Sequence, residues 1–404
     1  MAEPKAGARN LRVLSATNVL TGTHTNLLQV VLQPFVVHVA GSVVVLSILQ
    51  GLATRMGGIV GALAQLAGGR LADRWGRRPV MLLGSAFNMA SFTLFLATGL
   101  TEWAVLLVPA FVFLGLGLLS SPASQSIVAE SVEARGRAMA YSRVLFFLLL
   151  PAALIAFLGG FLADAFGYAP IFALSLGLEA TTFALFALLL VETLRERNGG
   201  RWRARDAFRL REPRLKGVLL VISVDLFAWS ISMMIVYGMA VKEFGFTNGD
   251  IGIIVGVWAL VFLAATLPAG KTVERFGSRW MIFVSEALGV PVMLGWILAT
   301  TPLGFAIVAV VNGIAAATWV PALQTLVANS VEDRMRAEAI GQLTSIRSLL
   351  SFPAPFLGGL LYAAFGYAAP MAASLAGVLV AMVLILRYIH DPPKAGAAGL
   401  GASG

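Results

Sequence analysis

Gly68-Gly69-Arg70-Leu71-Ala72-Asp73-Arg74-Trp75-Gly76-Arg77-Arg78 joins two long apolar runs, roughly residues 43–67 and 79–99. Each run reaches the about 20 apolar residues that a helix needs to cross a bilayer. A short loop between two crossings therefore holds four arginines and one aspartate. Solvation alone accounts for the arginines. It does not account for a single acid set among them, with glycines at fixed offsets that let helices approach and the chain turn.

Working outward, the whole chain has this character. Its 404 residues are 58% hydrophobic and 12% charged, with a mean hydropathy of +0.86. A soluble domain of this size carries about 25% charge, so the class is a polytopic membrane protein. There is no cysteine, which excludes disulfides, thiolate metal sites and cysteine nucleophiles. Three histidines, His24, His38 and His390, are too scattered for a metal cluster. No metal or cofactor is expected, and no Gly-x4-Gly-Lys-Ser/Thr loop offers an ATP site.

Apolar runs recur at roughly 11–37, 43–67, 79–99, 103–129, 137–162 and 168–191, then at 217–240, 250–270, 280–300, 303–328, 337–362 and 367–389, about twelve in all. The first is too long for a signal-peptide core and is read as a retained helix. The net charge of +9 is a topology signal. Of 29 Lys and Arg, Arg55, Arg143 and Arg347 fall inside runs, Lys242 falls on the second face, and the other 25 fall on one face. That is the positive-inside pattern, with both ends cytoplasmic and no nucleic-acid partner. The divisions expected are a first half at 1–191, a basic linker at 192–216, a second half at 217–391 and a disordered tail at 392–404. The arginine-rich, alanine-rich composition hints at a prokaryotic source.

The second half repeats the first. Pro122-Ala123-x-Gln125 returns as Pro321-Ala322-x-Gln324, and Ser131-Val132-Glu133-x-Arg135-x-Arg137 returns as Ser330-Val331-Glu332-x-Arg334-x-Arg336. Gly159-Gly160 through Phe166-Gly167-Tyr168 returns as Gly358-Gly359 through Phe365-Gly366-Tyr367. All three are displaced by 199 residues, while the opening loop has a degenerate copy displaced by 201, at Gly270, Glu274, Arg275, Gly277 and Arg279. Two like halves rocking about a central site would give alternating access.

Gly69, Leu71, Ala72, Asp73, Arg74, Gly76, Arg77 and Arg78 match the pattern Gly-x-Leu-Ala-Asp-Arg-x-Gly-Arg-Arg/Lys, so the chain resembles the major facilitator superfamily of secondary transporters. The resemblance implies an all-α fold of twelve transmembrane helices in two pseudo-two-fold six-helix bundles. It implies a cavity lined by the first, fourth, seventh and tenth spans, with the sixth and ninth as scaffold. It also implies that Gly69, Asp73, Arg74, Gly76, Arg77 and Arg78 form a cytoplasmic gate latching the halves. The chain departs from the superfamily's drug/proton antiporters in two places: Phe111 stands where they carry an arginine in the fourth span, and Ala156 stands where they carry a proline in the fifth.

Substrate candidates come from the wheel. At 100° per residue, Asn18, Thr21, Gly22, Thr25, Asn26, Gln29 and Gln33 fall within about 140° of one another, a polar stripe on a membrane helix. Such groups face protein or water, so the readings are cavity lining or interhelical hydrogen bonding. Asp225, Trp229 and Ser232 share a face of the seventh span, and Asn312 and Trp319 share one of the tenth. Asp225 is the candidate proton-coupling residue or, alternatively, a fixed partner of an arginine. Arg55 and Arg347 are candidates for binding an anionic solute, with Glu179 and Glu286 as possible ion-pair partners. Arg143 is close enough to an interface to snorkel. His24 lies about 130° from the stripe and reads as a packed, hydrogen-bonded histidine.

The function expected is secondary transport of a small organic solute, as proton-linked export, by a monomer in a prokaryotic inner membrane. The alternative is uptake or exchange of an organic anion. Outside transport, a membrane enzyme lacks a nucleophile–base set, and a non-transporting sensor lacks an added regulatory domain.

Overall fold

The computed structural model describes residues 4–53, 58–133, 137–194, 214–330, 343 and 346–390. Arg55, Arg135, Arg334, Arg336, most of the linker and the tail lie outside the described residues.

The first half comprises α1 (Pro4–Ala40), α2 (Val43–Leu52), α3 (Gly58–Trp75), α4 (Arg77–Thr101), α5 (Leu107–Gly117), α6 (Ser121–Glu130), α7 (Arg137–Leu149), α8 (Ala152–Phe166) and α9 (Tyr168–Leu189). The second comprises α10 (Arg214–Met233), α11 (Val236–Phe244), α12 (Asn248–Phe276), α13 (Ser278–Leu298), α14 (Pro302–Ser330), α15 (Ala354–Phe365) and α16 (Ala368–Tyr388). Among the described residues, ten segments are long and apolar enough to cross a membrane, and they are the third to twelfth spans. The polar stripe keeps α1 out of that set, and α2 and α3 divide the second span between them. The seventh span is broken between Met233 and Val236, giving α10 and α11.

Gly76 and Gly277 show how the repeat is built. Each ends one helix and starts the next, at φ 113° and 89°, a backbone region open to glycine and costly for other residues. One residue pair on, Arg78 donates to the Ala187 carbonyl and Arg279 to the Leu386 carbonyl, so each half ties its third helix to its sixth in the same way.

Within the first bundle α4 packs on α5 and α9, and α1 on α7, α8 and α9; within the second, α13 packs on α14 and α16, and α10 on α15 and α16. Phe35, Phe92, Phe95, Phe111 and Phe172 fill the first core with no exposure. Water drives none of this packing at mid-membrane, where close van der Waals contact replaces the hydrophobic effect. Large apolar side chains such as Leu154, Leu188, Leu298, Leu303 and Val383 are exposed. Their number suits a lipid-facing belt and no water-facing surface.

The bundles meet through α8 against α12, α2 against α15, and α1 against α11 and α12. The repeated glycine pairs make these approaches possible. A Cβ on Gly159 would press Leu27, and one on Gly358 would press the Ile231 carbonyl at 1.9 Å, both within their own half. A Cβ on Gly160 would meet the Asn248 carbonyl at 2.2 Å, and one on Gly359 would meet Ser47 Oγ at 2.0 Å, both across the halves. The duplication thus carries one glycine for each half's interior and one for its partner.

Candidate functional site

The seventh, ninth, tenth and eleventh spans bring Asp225, Glu286, Trp319 and Arg347 together at one depth. Glu286 lies eight residues into α13, Asp225 eleven into α10 and Trp319 eleven from the end of α14. At 1.5 Å per residue these are roughly 12–17 Å from the face bearing the signature loop, near the bilayer midplane. The Asp225 and Glu286 carboxyls lie within hydrogen-bonding reach of each other, and the Trp229 indole reaches the Glu286 carboxyl. Asp225 is 7% exposed and Glu286 1%. Arg347 is close enough to attract Asp225 but makes no direct ion pair among the described residues. Its guanidinium sits 5.6 Å over the Trp319 ring, and its Nε is buried without a hydrogen-bond partner.

This geometry revises the wheel reading of the seventh span. Trp229 and Ser232 do not line a cavity between the halves; they point into the second bundle. Trp229 meets Trp296 edge-on at 6.3 Å and would clash with a Cβ on Gly289. Ser232 is fully buried, accepting from Ser374 at 2.9 Å and lying 3.7 Å from Met293 Sδ. The face turned to the first half is Leu226, Ser230 and Met234, which with Gln50 and Phe352 bounds a water-sized cavity of about 20 Å³. Periodicity says which residues share a face but not which neighbour that face meets. The sequence offers Glu286 as an ion-pair partner for an arginine; here it faces the Asp225 carboxyl instead. The signal that marks it is its register: it stands as far after Gly277 as Ser85 stands after Gly76.

Ser85 belongs to a matching network in the first half. His24 Nε2 lies 2.9 Å from Glu179 Oε2, Ser85 donates to Glu179 Oε1 at 2.5 Å and Asn88 donates to it at 3.4 Å. Glu179 is therefore held by His24 and the third span, not by an arginine. Arg143 is exposed on α7.

The stripe on α1 divides into three parts. Asn18 donates to the Val144 carbonyl of α7 at 2.9 Å. Thr25 and Asn26 bond back to Thr21 and Gly22 of their own helix. Thr21 and Gln29 stay half-buried. Gln33 is not a lining residue. Its Oε1 accepts from the Tyr237 and Gly238 amides at 3.0 and 3.1 Å, and its Nε2 faces the Met233 carbonyl at 3.4 Å. Those are the groups left free where α10 breaks before α11. Because His24 points to α9 while Asn18 and Gln33 reach α7 and α11, the stripe faces inward, away from lipid. Asn312 is buried at 6% on α14.

Gln33 belongs to a seam closing the face opposite the signature loop. Lys242 donates to the Gly41 carbonyl across the halves. Asp164, at the end of α8, accepts from Asn248 N at 2.9 Å, Asn248 Nδ2 at 2.8 Å and Gly249 N at 2.6 Å, so a carboxylate of one half caps a helix of the other. Nearby, Tyr362 donates to Glu243, and Tyr367 donates to the Trp296 carbonyl at 2.9 Å. Burial, then the Glu243 charge, push the Tyr367 hydroxyl well above the usual tyrosine range.

At the signature loop Asp73, Arg77 and Arg78 bond to groups of their own half. Arg77 pairs with Asp73 and, at 3.1 Å, with Glu130. Glu192 Oε1 and Oε2 accept from the Arg77 and Arg78 amides at 2.9 and 3.0 Å, capping α4. Arg74 is exposed, and Gly69 faces Pro122 at an ordinary distance. Among the described residues, the partners of Asp73, Arg77 and Arg78 all belong to the first half. The structure is sealed at the face opposite the signature loop.

Two six-helix bundles sealed at one face, with a charged cluster at mid-depth, define a secondary transporter. The chain belongs to the Major Facilitator Superfamily, whose family model matches residues 14–240 and 217–403. It is a multi-pass membrane protein of a family that moves small molecules and is not an enzyme family. Among curated relatives it is similar to the multidrug resistance protein MdtG of Salmonella arizonae, 26% identical over 332 residues covering 80% of this chain and 81% of that one. The MdtG of Enterobacter lignolyticus is 24% identical over 353 residues, 85% and 82% of the two chains. Its fold is similar to those of a bacterial homologue of the human lysosomal transporter Spinster (TM-score 0.71, 16% identity, 96% and 97% covered) and of the human organic anion transporter MFSD10 (TM-score 0.67, 18% identity, 94% and 99% covered).

Proposed function

We propose that this protein exports a small organic solute by alternating access, driven by proton entry, with Asp225 as the protonation site. The observation that carries this is the Asp225–Glu286 carboxyl contact beside Arg347 at mid-membrane, since buried acids there are costly unless they serve ion or proton movement. The MdtG relatives, named for multidrug resistance, support export. Thr21 and Gln29 of α1, with Asn312, Trp319 and Arg347 of the second half, are the residues proposed to meet the solute. Positive-inside charge supports a cytoplasmic side for the signature loop and both chain ends, and the reading takes a monomer in a prokaryotic inner membrane as the working unit. The seam closes the face opposite the signature loop, and Asp73, Arg74, Arg77 and Arg78 latch the cytoplasmic side when that seam parts.

The second reading, organic-anion exchange, rests on Arg347, whose buried Nε has no partner. Proteoliposomes loaded with ethidium or with fluorescein and given a pH gradient separate the two. Gradient-driven ethidium movement, lost in Asp225→Asn, supports proton-linked export. Gradient-independent fluorescein exchange, lost in Arg347→Gln, supports the anion reading and overturns the first.

A further inference from the structure

We propose that Asp225 and Glu286 form a single proton-binding unit, holding one proton between two carboxyls, with Arg347 as the fixed counter-charge. This rests on the proton-linked reading and specifies its acceptor. Two carboxylates cannot sit in hydrogen-bonding contact with both ionised; the contact itself requires a proton. Glu286 Oε2 is buried and takes no amide or hydroxyl donor, so a carboxyl proton is the donor left to it. With one proton on the pair, one negative charge remains to face Arg347, and the cluster is neutral. Removing that proton, or adding a second, leaves a net buried charge at mid-membrane, which is costly. The resting unit therefore holds one proton, and that proton is the one it releases when the site opens to water.

Among the described residues of the second half, no other acid lies at this depth. α14 contains no titratable residue, α15 has only Tyr362 near the far face, and α16 has only Arg387 and Tyr388 at its end. On α10 and α13 the other charged residues, Arg214, Lys216 and Arg279, lie in the first turn. The two acids are not equivalent in access. Asp225, the more exposed, receives the proton from the water-filled side, and Glu286, on the inner side, shares it. Trp229 orients Glu286, and Trp319 holds the guanidinium in place.

The pair makes a prediction that a lone Asp225 does not. Replacing either acid by its amide gives the other carboxylate an N–H donor and an unshared Arg347, so it stays ionised and no proton is held. At pH about 7 exposed carboxylates are ionised, so infrared difference spectra of wild type minus variant report the buried proton without any solute. A protonated-carboxyl band is expected in the wild type, missing equally from Asp225→Asn and Glu286→Gln. It should return in the exchanged variant Asp225→Glu with Glu286→Asp, which a merely structural role would not require. A band that persists in Glu286→Gln, or is absent from the wild type, overturns the shared-proton unit. Ethidium flux in the same samples keeps the two proposals apart. If Asp225→Asn stops gradient-driven flux while Glu286→Gln leaves it intact, the unit fails and the proton-linked reading stands. If neither variant loses it, both fail.

Discussion

Replacing Gln33 by leucine keeps the side chain's bulk and removes its amide. In the closed seam that amide serves the Tyr237 and Gly238 N–H groups at 3.0 and 3.1 Å and approaches the Met233 carbonyl at 3.4 Å. Gln33 is 9% exposed, so the two amides lose their acceptor in a place water reaches poorly. A buried donor left unsatisfied costs about 1–3 kcal/mol; the 3.4 Å contact is too long to add much. With two such donors the closed seam should lose about 2–6 kcal/mol relative to the state in which the halves part there, because parting exposes the same groups to water in either protein. That is a population shift of at least roughly 30-fold toward opening of this face. The chain has no cysteine, so paired spin labels can be placed directly. Glu102→Cys and Thr301→Cys lie on exposed turns of the two halves at this face. Electron–electron resonance distances between them should lengthen and broaden in Gln33→Leu. An unchanged short distance in a folded Gln33→Leu protein would refute the reasoning.

Asp164→Ala removes the other cross-half cap, but at an exposed site; its effect on the same labelled pair should be in the same direction and smaller, about 0.5–1 kcal/mol. Gly160→Ala and Gly359→Ala place a methyl about 2 Å from an atom of the partner half, so each should hold this face open and slow transport while leaving thermal stability in detergent near wild type. His24→Leu leaves the buried Glu179 carboxylate without its imidazole partner, and a loss of about 1–3 kcal/mol of stability should appear as a lower unfolding temperature. An unchanged melt would mean that Ser85 and Asn88 alone satisfy Glu179.

The membrane class, the span positions and the duplicated plan were legible in the sequence, because each is a local or periodic signal. A helix in lipid must satisfy its own backbone, so about 20 apolar residues declare it wherever its neighbours lie. The Asp73 loop and the repeated Gly159-Gly160 and Gly358-Gly359 pairs declared the family and the two-fold plan in the same way. The sequence also singled out Asp225, and the inward turn of the α1 stripe followed from its polarity.

What the stripe and the wheel could not carry was the identity of the neighbour across each face. Trp229 and Ser232 shared a face with Asp225, yet that face turned to α13 and α16 and not to the other half. Gln33 read as one more polar lining residue until the break between Met233 and Val236 stood beside it. Glu286 read as a possible partner of an arginine, and its place beside a second carboxyl depended on a residue 61 positions away. Periodicity is a property of one helix. A carboxyl contact, a cap across two bundles and a glycine seat are properties of helix pairs, set by how bundles rotate and lean, and only the packed structure fixes that.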